Sequence, residues 1–218
     1  MVGAFFGHVW TRPSTVAVTL PDQRTEIEIE SLAYRAESFR SPPYYGYRIG
    51  WIPDAHSWLS IEAEFIHAKV FAETGGTARI RGMLRGALVD APLPVSPIVQ
   101  RLAMSHGLNF ILANLALRRD IGADSWGPHR LVAVVRVGAG PTLPHAESTV
   151  EGLALEQYEA GGLSAQAAGG LEVTLWRRLT ALGEYKFTWA TPRIDVARGH
   201  ATLPARSHHL AAGLGYRF

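Results

Sequence analysis

The chain has 218 residues, 47% hydrophobic and 18% charged, with a formal net charge of +2. That composition suits one sizeable folded domain and excludes a disordered or collagen-like segment, while the dispersal of the basic residues, with no stripe interleaved with aromatics, argues against nucleic acid as a partner. No run of about 18 apolar residues occurs, which excludes a membrane-spanning helix but leaves open a β-barrel, whose strands need only about ten alternating residues. The absence of cysteine removes disulfides, thiolate metal sites and thiol nucleophiles. The start, Met1 to Gly7, has no basic region, apolar run and cleavage site, so a secretion signal is expected to have been replaced by an initiator Met.

In chain order, alternation with a period of two predicts eight strands. Gly3 to Thr11 supplies the first. Pro42-Pro43-Tyr44-Tyr45-Gly46 leads into the second, Tyr45 to Ile52, with two prolines and two aromatics at a rim, suited to headgroup anchoring or to sugar stacking. The third, Trp58 to Phe71, puts Leu59, Ile61, Ala63 and Phe65 on one face. After it, Arg79, Arg81 and Arg85 cluster in a connection where anionic lipopolysaccharide is a plausible contact. Leu108 to Arg118 is the fourth strand. Arg130 to Glu147 is the fifth, with Val135, Val137, Ala139, Pro141 and Leu143 on one face. Leu163 to Leu175 and Leu179 to Trp189 flank the basic turn Trp176-Arg177-Arg178. His208 to Phe218 closes the series with Leu210, Ala212, Leu214, Tyr216 and Phe218 outward, an ending that resembles the C-terminal assembly signal of outer-membrane barrels.

The expectation is therefore a single all-β domain over 1–218, an eight-stranded antiparallel transmembrane β-barrel of a Gram-negative outer membrane with that membrane's lipids as neighbours. An even strand count closes every backbone edge, which hydrocarbon otherwise makes costly. Short connections after strands two, four and six mark the periplasmic side, with Trp51, Trp58, Trp126 and Trp176 beside them at headgroup level. A barrel this narrow is filled by its own side chains. Arg48, Glu62, Glu64, Arg136, Glu172, Glu184, Lys186 and Arg217 all have inward parity, giving a packed polar interior whose buried charges must pair.

Polar residues prolong two of the greasy rows. Continued parity puts His67 and Lys69 above Phe65, and His145 and Glu147 above Leu143, while Asn109 shares the parity of Ile111 and Ala113. All lie at extracellular strand ends, and adjacent strands are about 4.8 Å apart. His106, in Ser105-His106-Gly107, needs a loop or bulge to turn it to the same rim. His67, His106, His145 and Glu147 offer nitrogen and carboxylate ligands for a divalent metal, or a general acid and base. Such a site outside the barrel suits a lipid substrate approaching sideways.

At this point the chain resembles the outer-membrane lipid A oxidase family of rhizobia and related bacteria. The resemblance runs from about Glu37 through Phe218. It rests on Arg40 to Gly46, Glu64 to Ala72, Leu108-Asn109, Gly138 to Glu147 and Gly183 to Thr188, the specific parts being Pro-Pro-Tyr-Tyr-Gly at 42–46, His-Ala-Lys-Val at 67–70 and Pro-His-Ala-Glu at 144–147. It implies oxidation of the proximal glucosamine of lipid A to 2-aminogluconate, with molecular oxygen as co-substrate, a divalent metal and hydrogen peroxide as product. On this reading His67, His106, Asn109, His145 and Glu147 carry the chemistry, and Tyr44, Tyr45, Lys69 and Arg81 meet the substrate. Two alternatives stand beside it: a lipid A deacylase built on Ser105, His106 and Glu147, although no Gly-X-Ser-X-Gly occurs, and a noncatalytic structural or lipid-binding barrel.

Overall fold

The computed structural model describes residues 1–53, 57–121 and 131–218. Eight long strands carry the alternation expected of them: β1 (Val2–Thr11), β2 (Tyr45–Trp51), β3 (Leu59–His67), β4 (Val99–Asp120), β5 (Leu131–Val150), β6 (Leu163–Trp176), β7 (Leu179–Ala190) and β8 (Ala205–Tyr216). Each pairs antiparallel with its neighbours in chain order, and β1 closes on β8 with Val2 opposite Tyr216 and Thr11 opposite Ser207. Closure satisfies the backbone of every wall strand from within the sheet, as hydrocarbon requires. Trp126 and the expected start of the fifth strand at Arg130 lie outside the described residues.

The outward face is apolar and open: Tyr47, Ile49, Leu115, Val135, Leu163 and Leu210 are each more than half exposed. Water would penalise such a band, whereas acyl chains match it. Connections after β2 (52–58), β4 (121–130) and β6 (177–178) are short, and those at the other end carry further strands. Trp51, Trp58 and Trp176 sit exposed at the short-turn end. A closed, even-numbered antiparallel barrel with this band is the architecture of Gram-negative outer-membrane proteins, and the chain is an outer-membrane β-barrel.

The interior has two storeys. In the periplasmic half the carboxylates Glu62, Glu64, Glu172 and Glu184 interleave with Arg48, Arg118, Arg136, Lys186 and Arg217. Arg48 bridges Glu64 at 2.9 Å and Glu184 at 2.8 Å, Arg136 pairs with Glu62 and Glu184, and Arg217 reaches Glu172 at 2.9 Å. Asn114 and Gln166 donate to Glu64 at 2.8 and 2.7 Å. Phe5 roofs this network, with Arg48 and Lys186 placed 5.4 and 4.6 Å from its ring centroid. Above it the filling is mostly apolar, with Val9, Ile66, Leu108, Phe110 and Leu112 buried around the polar trio Thr188, Ser207 and His209. The interior charges therefore lie in the lower half, because inward positions of β4 change from Asn114 and Arg118 to Leu108, Phe110 and Leu112, while β7 and β8 keep Thr188, Ser207 and His209 inward above them.

Above the membrane the long connections assemble a second, six-stranded antiparallel sheet in the order Arg193–Val196, Gly199–Thr202, Ser14–Leu20, Thr25–Leu32, Thr77–Leu84 and Ala87–Pro94. These segments are connections by the eight-strand pattern of the sequence, and the structure folds them into strands. Their inner face, including Val16, Val18, Ile27, Ile29, Ile80 and Ile194, is buried in one cluster with the apolar upper storey of the barrel, each side chain contributing about 1.5–3 kcal/mol. The outer face is charged, with Arg79 on Asp90 at 2.7 Å and Arg81 on Glu28 at 3.1 Å.

Candidate metal centre on the outer wall

β4 runs beyond its expected start at Leu108, down from Val99, and it is irregular where the rim begins. Met104 lies opposite Ala146 and the next aligned residue, Leu108, opposite Pro144, so residues 105–107 bulge. Bulges re-aim side chains, and this one turns His106 outward, its side chain 52% exposed. Gly107 makes the bulge possible. Its φ is +101°, and a Cβ there would stand 2.4 Å from His67 Nδ1 and 2.5 Å from Asn109 Oδ1.

β5 also continues past its expected end at Glu147 and folds back through Glu151 and Gly152, both at positive φ, into the strand Leu153–Tyr158. That hairpin sets Glu156 opposite Glu147 and Tyr158 opposite His145. The result is a cluster of His106, His145, Glu147 and Glu156 whose ligand atoms all lie within 4.8 Å of one another. The two imidazoles meet edge to face at 4.6 Å, His145 Nε2 is 3.4 Å from Glu156 Oε1, and His106 Nδ1 is 3.9 Å from Glu147 Oε1. His145 Nδ1 is buried with no hydrogen-bond partner. Burial pulls the Glu147 carboxyl up, but the Ser105 hydroxyl and the Arg101 guanidinium outweigh it and hold the group below its ordinary range, so it is a charged donor. Two imidazoles and two carboxylates suit a divalent transition metal or zinc. Glu156 escaped the sequence reading because Glu-Gly is a weak hairpin signal beside Asn-Gly or Asp-Gly.

His67 stands beside this quartet and is not one of its members. Asn109 donates through Nδ2 to the Leu143 carbonyl at 3.0 Å, which turns its Oδ1 to His67 Nδ1 at 2.9 Å. The imidazole must therefore carry its proton on Nδ1, leaving a lone pair on Nε2. That nitrogen is buried and unpartnered. Tyr45 stacks on the ring at 4.9 Å and 19°, so the aromatic rim of β2 reaches this site.

Three residues expected to meet substrate sit elsewhere. Tyr44, one residue from outward Tyr45, takes the opposite parity and lies inside the barrel, 1% exposed, with its ring 6.5 Å from Phe5 and 5.6 Å from His209. Lys69 was expected on the lipid face, but β3 ends at His67, and the buried ammonium donates to the carbonyls of Arg40 at 3.2 Å and Ser41 at 3.0 Å. Arg81 is on the charged face of the extracellular sheet, paired with Glu28 and Glu30. The hydrolase alternative needs serine hydrogen-bonded to the imidazole and the acid behind it. Here Ser105 Oγ donates to Glu147 and stands 3.1 Å from His106 Nδ1, between acid and base.

The sequence matches no protein-family profile and no curated protein. Among solved structures, the chain is similar to Neisserial surface protein A, NspA, at a TM-score of 0.42 and 11% identity over 100% of this chain and 96% of that one. It is similar also to Ail, the attachment invasion locus protein of Yersinia pestis (TM-score 0.38, 10% identity, 100% and 97% covered), and to outer membrane protein AlkL (0.41, 12%, 100% and 88%).

The height of the cluster follows from strand geometry. Ten residues separate Val135 from His145 along β5. At about 3.3 Å per residue and a tilt near 40° they rise about 25 Å, the height of the apolar band. The site thus opens sideways, at headgroup level, above the lipid-facing rows.

Proposed function

We propose that the chain is a metal- and oxygen-dependent oxidase of lipid A that converts the proximal glucosamine to 2-aminogluconate at the outer-leaflet face of the barrel. The carrying observation is the cluster of His106, His145, Glu147 and Glu156 on the outside wall at headgroup height. A lipid whose acyl chains pack on Leu115, Val135 and Val137 reaches that cluster with its sugar while remaining in its leaflet.

The reaction balances with molecular oxygen and water on a lipid A whose proximal glucosamine carries a free anomeric hydroxyl in place of a 1-phosphate. The C1–H and O–H bonds of the sugar hemiacetal give up two electrons and two protons to molecular oxygen, forming hydrogen peroxide and a lactone that water opens to the gluconate. A divalent ion held by the quartet would bring oxygen and the sugar hydroxyl together and pass charge between them. The protein supplies the rest. Arg101 and Ser105 keep Glu147 ionised and pointed, Asn109 fixes the tautomer of His67, and the free Nε2 of His67 takes up the hydroxyl proton.

The test is mass spectrometry of lipid A from cells expressing the protein, with and without oxygen and chelator, alongside peroxide measurement on purified protein. Oxidised lipid A and peroxide that vanish with chelation and return with metal are expected. Unmodified lipid A in the presence of folded, metal-loaded protein and oxygen refutes the reading.

A further inference from the structure

The wall formed by β6, β7, β8 and β1 is centred three strands round the eight-stranded barrel from the β4–β5 pair that carries the candidate metal centre. It carries a groove of about 640 Å³ lined by Phe6, His8, Phe39, Leu171, Tyr185 and Leu210. Gly183 and Ala212 floor it, and a Cβ added at Gly183 meets nothing within 4 Å, so packing does not require a glycine there. Climbing the wall, the outward residues change in register. Phe6, Ala212 and Gly183 come first, then His8, Leu210 and Tyr185, then Trp10, His208 and Phe187, and at the top Arg12, Arg206 and Trp189. Phe39 stacks on His8 at 5.6 Å and 15° and overhangs the groove, 81% exposed. His8 Nδ1 and His208 Nε2 are buried without partners. Arg12 and Arg206 are exposed neighbours, joined by a backbone hydrogen bond of 2.9 Å, and neither has an acidic partner among the described residues.

We infer that this wall is a second lipid-binding site, separate from the metal centre. The groove takes one acyl chain of the phosphorylated glycolipid of the outer leaflet, and Arg12 and Arg206 take its phosphate. Charge decides the occupant. Two adjacent unpaired guanidiniums two outward rows above an apolar groove complement an anionic head joined to an acyl tail. A second copy of the chain does not fit, because a two-fold axis along the membrane normal would set these arginines against their own counterparts at the same height. Trp189 in the arginine row and Trp10 one row below it are each about half exposed, placing indoles at the level of the sugars.

Because the chain lacks cysteine, Leu214→Cys, on the outward row just below the groove, can carry the only thiol-linked fluorophore. In phosphatidylcholine nanodiscs, lipid A should change its emission saturably. Arg12→Ala with Arg206→Ala should raise the half-saturation concentration at least about tenfold, since a hydrogen bond to a charged group is worth about 1.5–3 kcal/mol. Gly183→Leu, which fills the groove, should raise it independently. An unchanged titration in both variants overturns the site. Equal half-saturation with phosphatidylglycerol overturns the glycolipid assignment, and emission that follows dimer crosslinking without lipid A overturns the lipid as occupant. The readout is binding on the far wall, so it stands whether or not the metal centre oxidises lipid A.

Discussion

His67 and His145 lie on outward rows of β3 and β5, on either side of β4, and their ring nitrogens are committed differently. His145 belongs to the quartet, whereas His67 has Nδ1 engaged by Asn109 and only Nε2 free. His145→Ala should therefore lose both metal and oxidation, while His67→Ala should keep its metal and lose turnover. Parallel metal analysis and peroxide assay on folded protein separate the two, and loss of metal from His67→Ala would remove the proton-acceptor role. Glu156→Gln should weaken metal affinity by at least the 10- to 100-fold that losing an outer partner commonly costs; a metal titration matching wild type would exclude Glu156 as a ligand. At Gly107 a side chain meets both a forbidden φ and the His67 ring. Gly107→Ala should cost about 1–3 kcal/mol of stability and displace His67, as unfolding and activity measured together would show.

Strands betray themselves by alternation, and the wall strands were legible because hydrocarbon forces it along their whole length. Leu59 to Phe65 and Val135 to Leu143 can alternate in only one register without placing a charge in lipid. The same rule located the inward charges. Arg136 touches Glu62, Glu172 and Glu184 at once, and Arg136→Met would leave those carboxylates buried and short of a cation, an expected loss of about 3–5 kcal/mol. Urea unfolding followed by heat-modifiable gel migration would measure it, and an unchanged midpoint would contradict the pairing. The extracellular sheet was not legible, although Thr25 to Leu32 alternates well. Two of its strands, Arg193–Val196 and Gly199–Thr202, are very short, and its turns use Arg24 and Arg85 at positive φ instead of the residues that usually announce hairpins. The candidate site shows both sides of this. Parity brought His67, Asn109, His145 and Glu147 to one rim, whereas Lys69 departed where β3 stops, and Glu156 depended on a hairpin that parity cannot reveal.

At the scale of the whole molecule, the two storeys of the interior decide whether the barrel conducts. Ions could be met by the charged lower half, where carboxylates and cations alternate, but Phe5 roofs it, and Val9, Ile66, Leu108, Phe110 and Leu112 fill the space above. An ion entering from the periplasm would have to give up most of its hydration among tightly packed, largely apolar side chains, which costs many kcal/mol. The extracellular sheet then continues that apolar filling through Val16, Ile29 and Ile80. The proposed oxidation is accordingly assigned to the outer wall, where the histidine and carboxylate side chains converge. Planar bilayers containing the folded protein should show no steady ohmic conductance in molar salt, and opening the roof with Phe5→Ala together with Phe110→Ala should create it if these rings form the barrier. A stable open level in the unmodified protein would overturn the account of the interior and restore a channel to consideration.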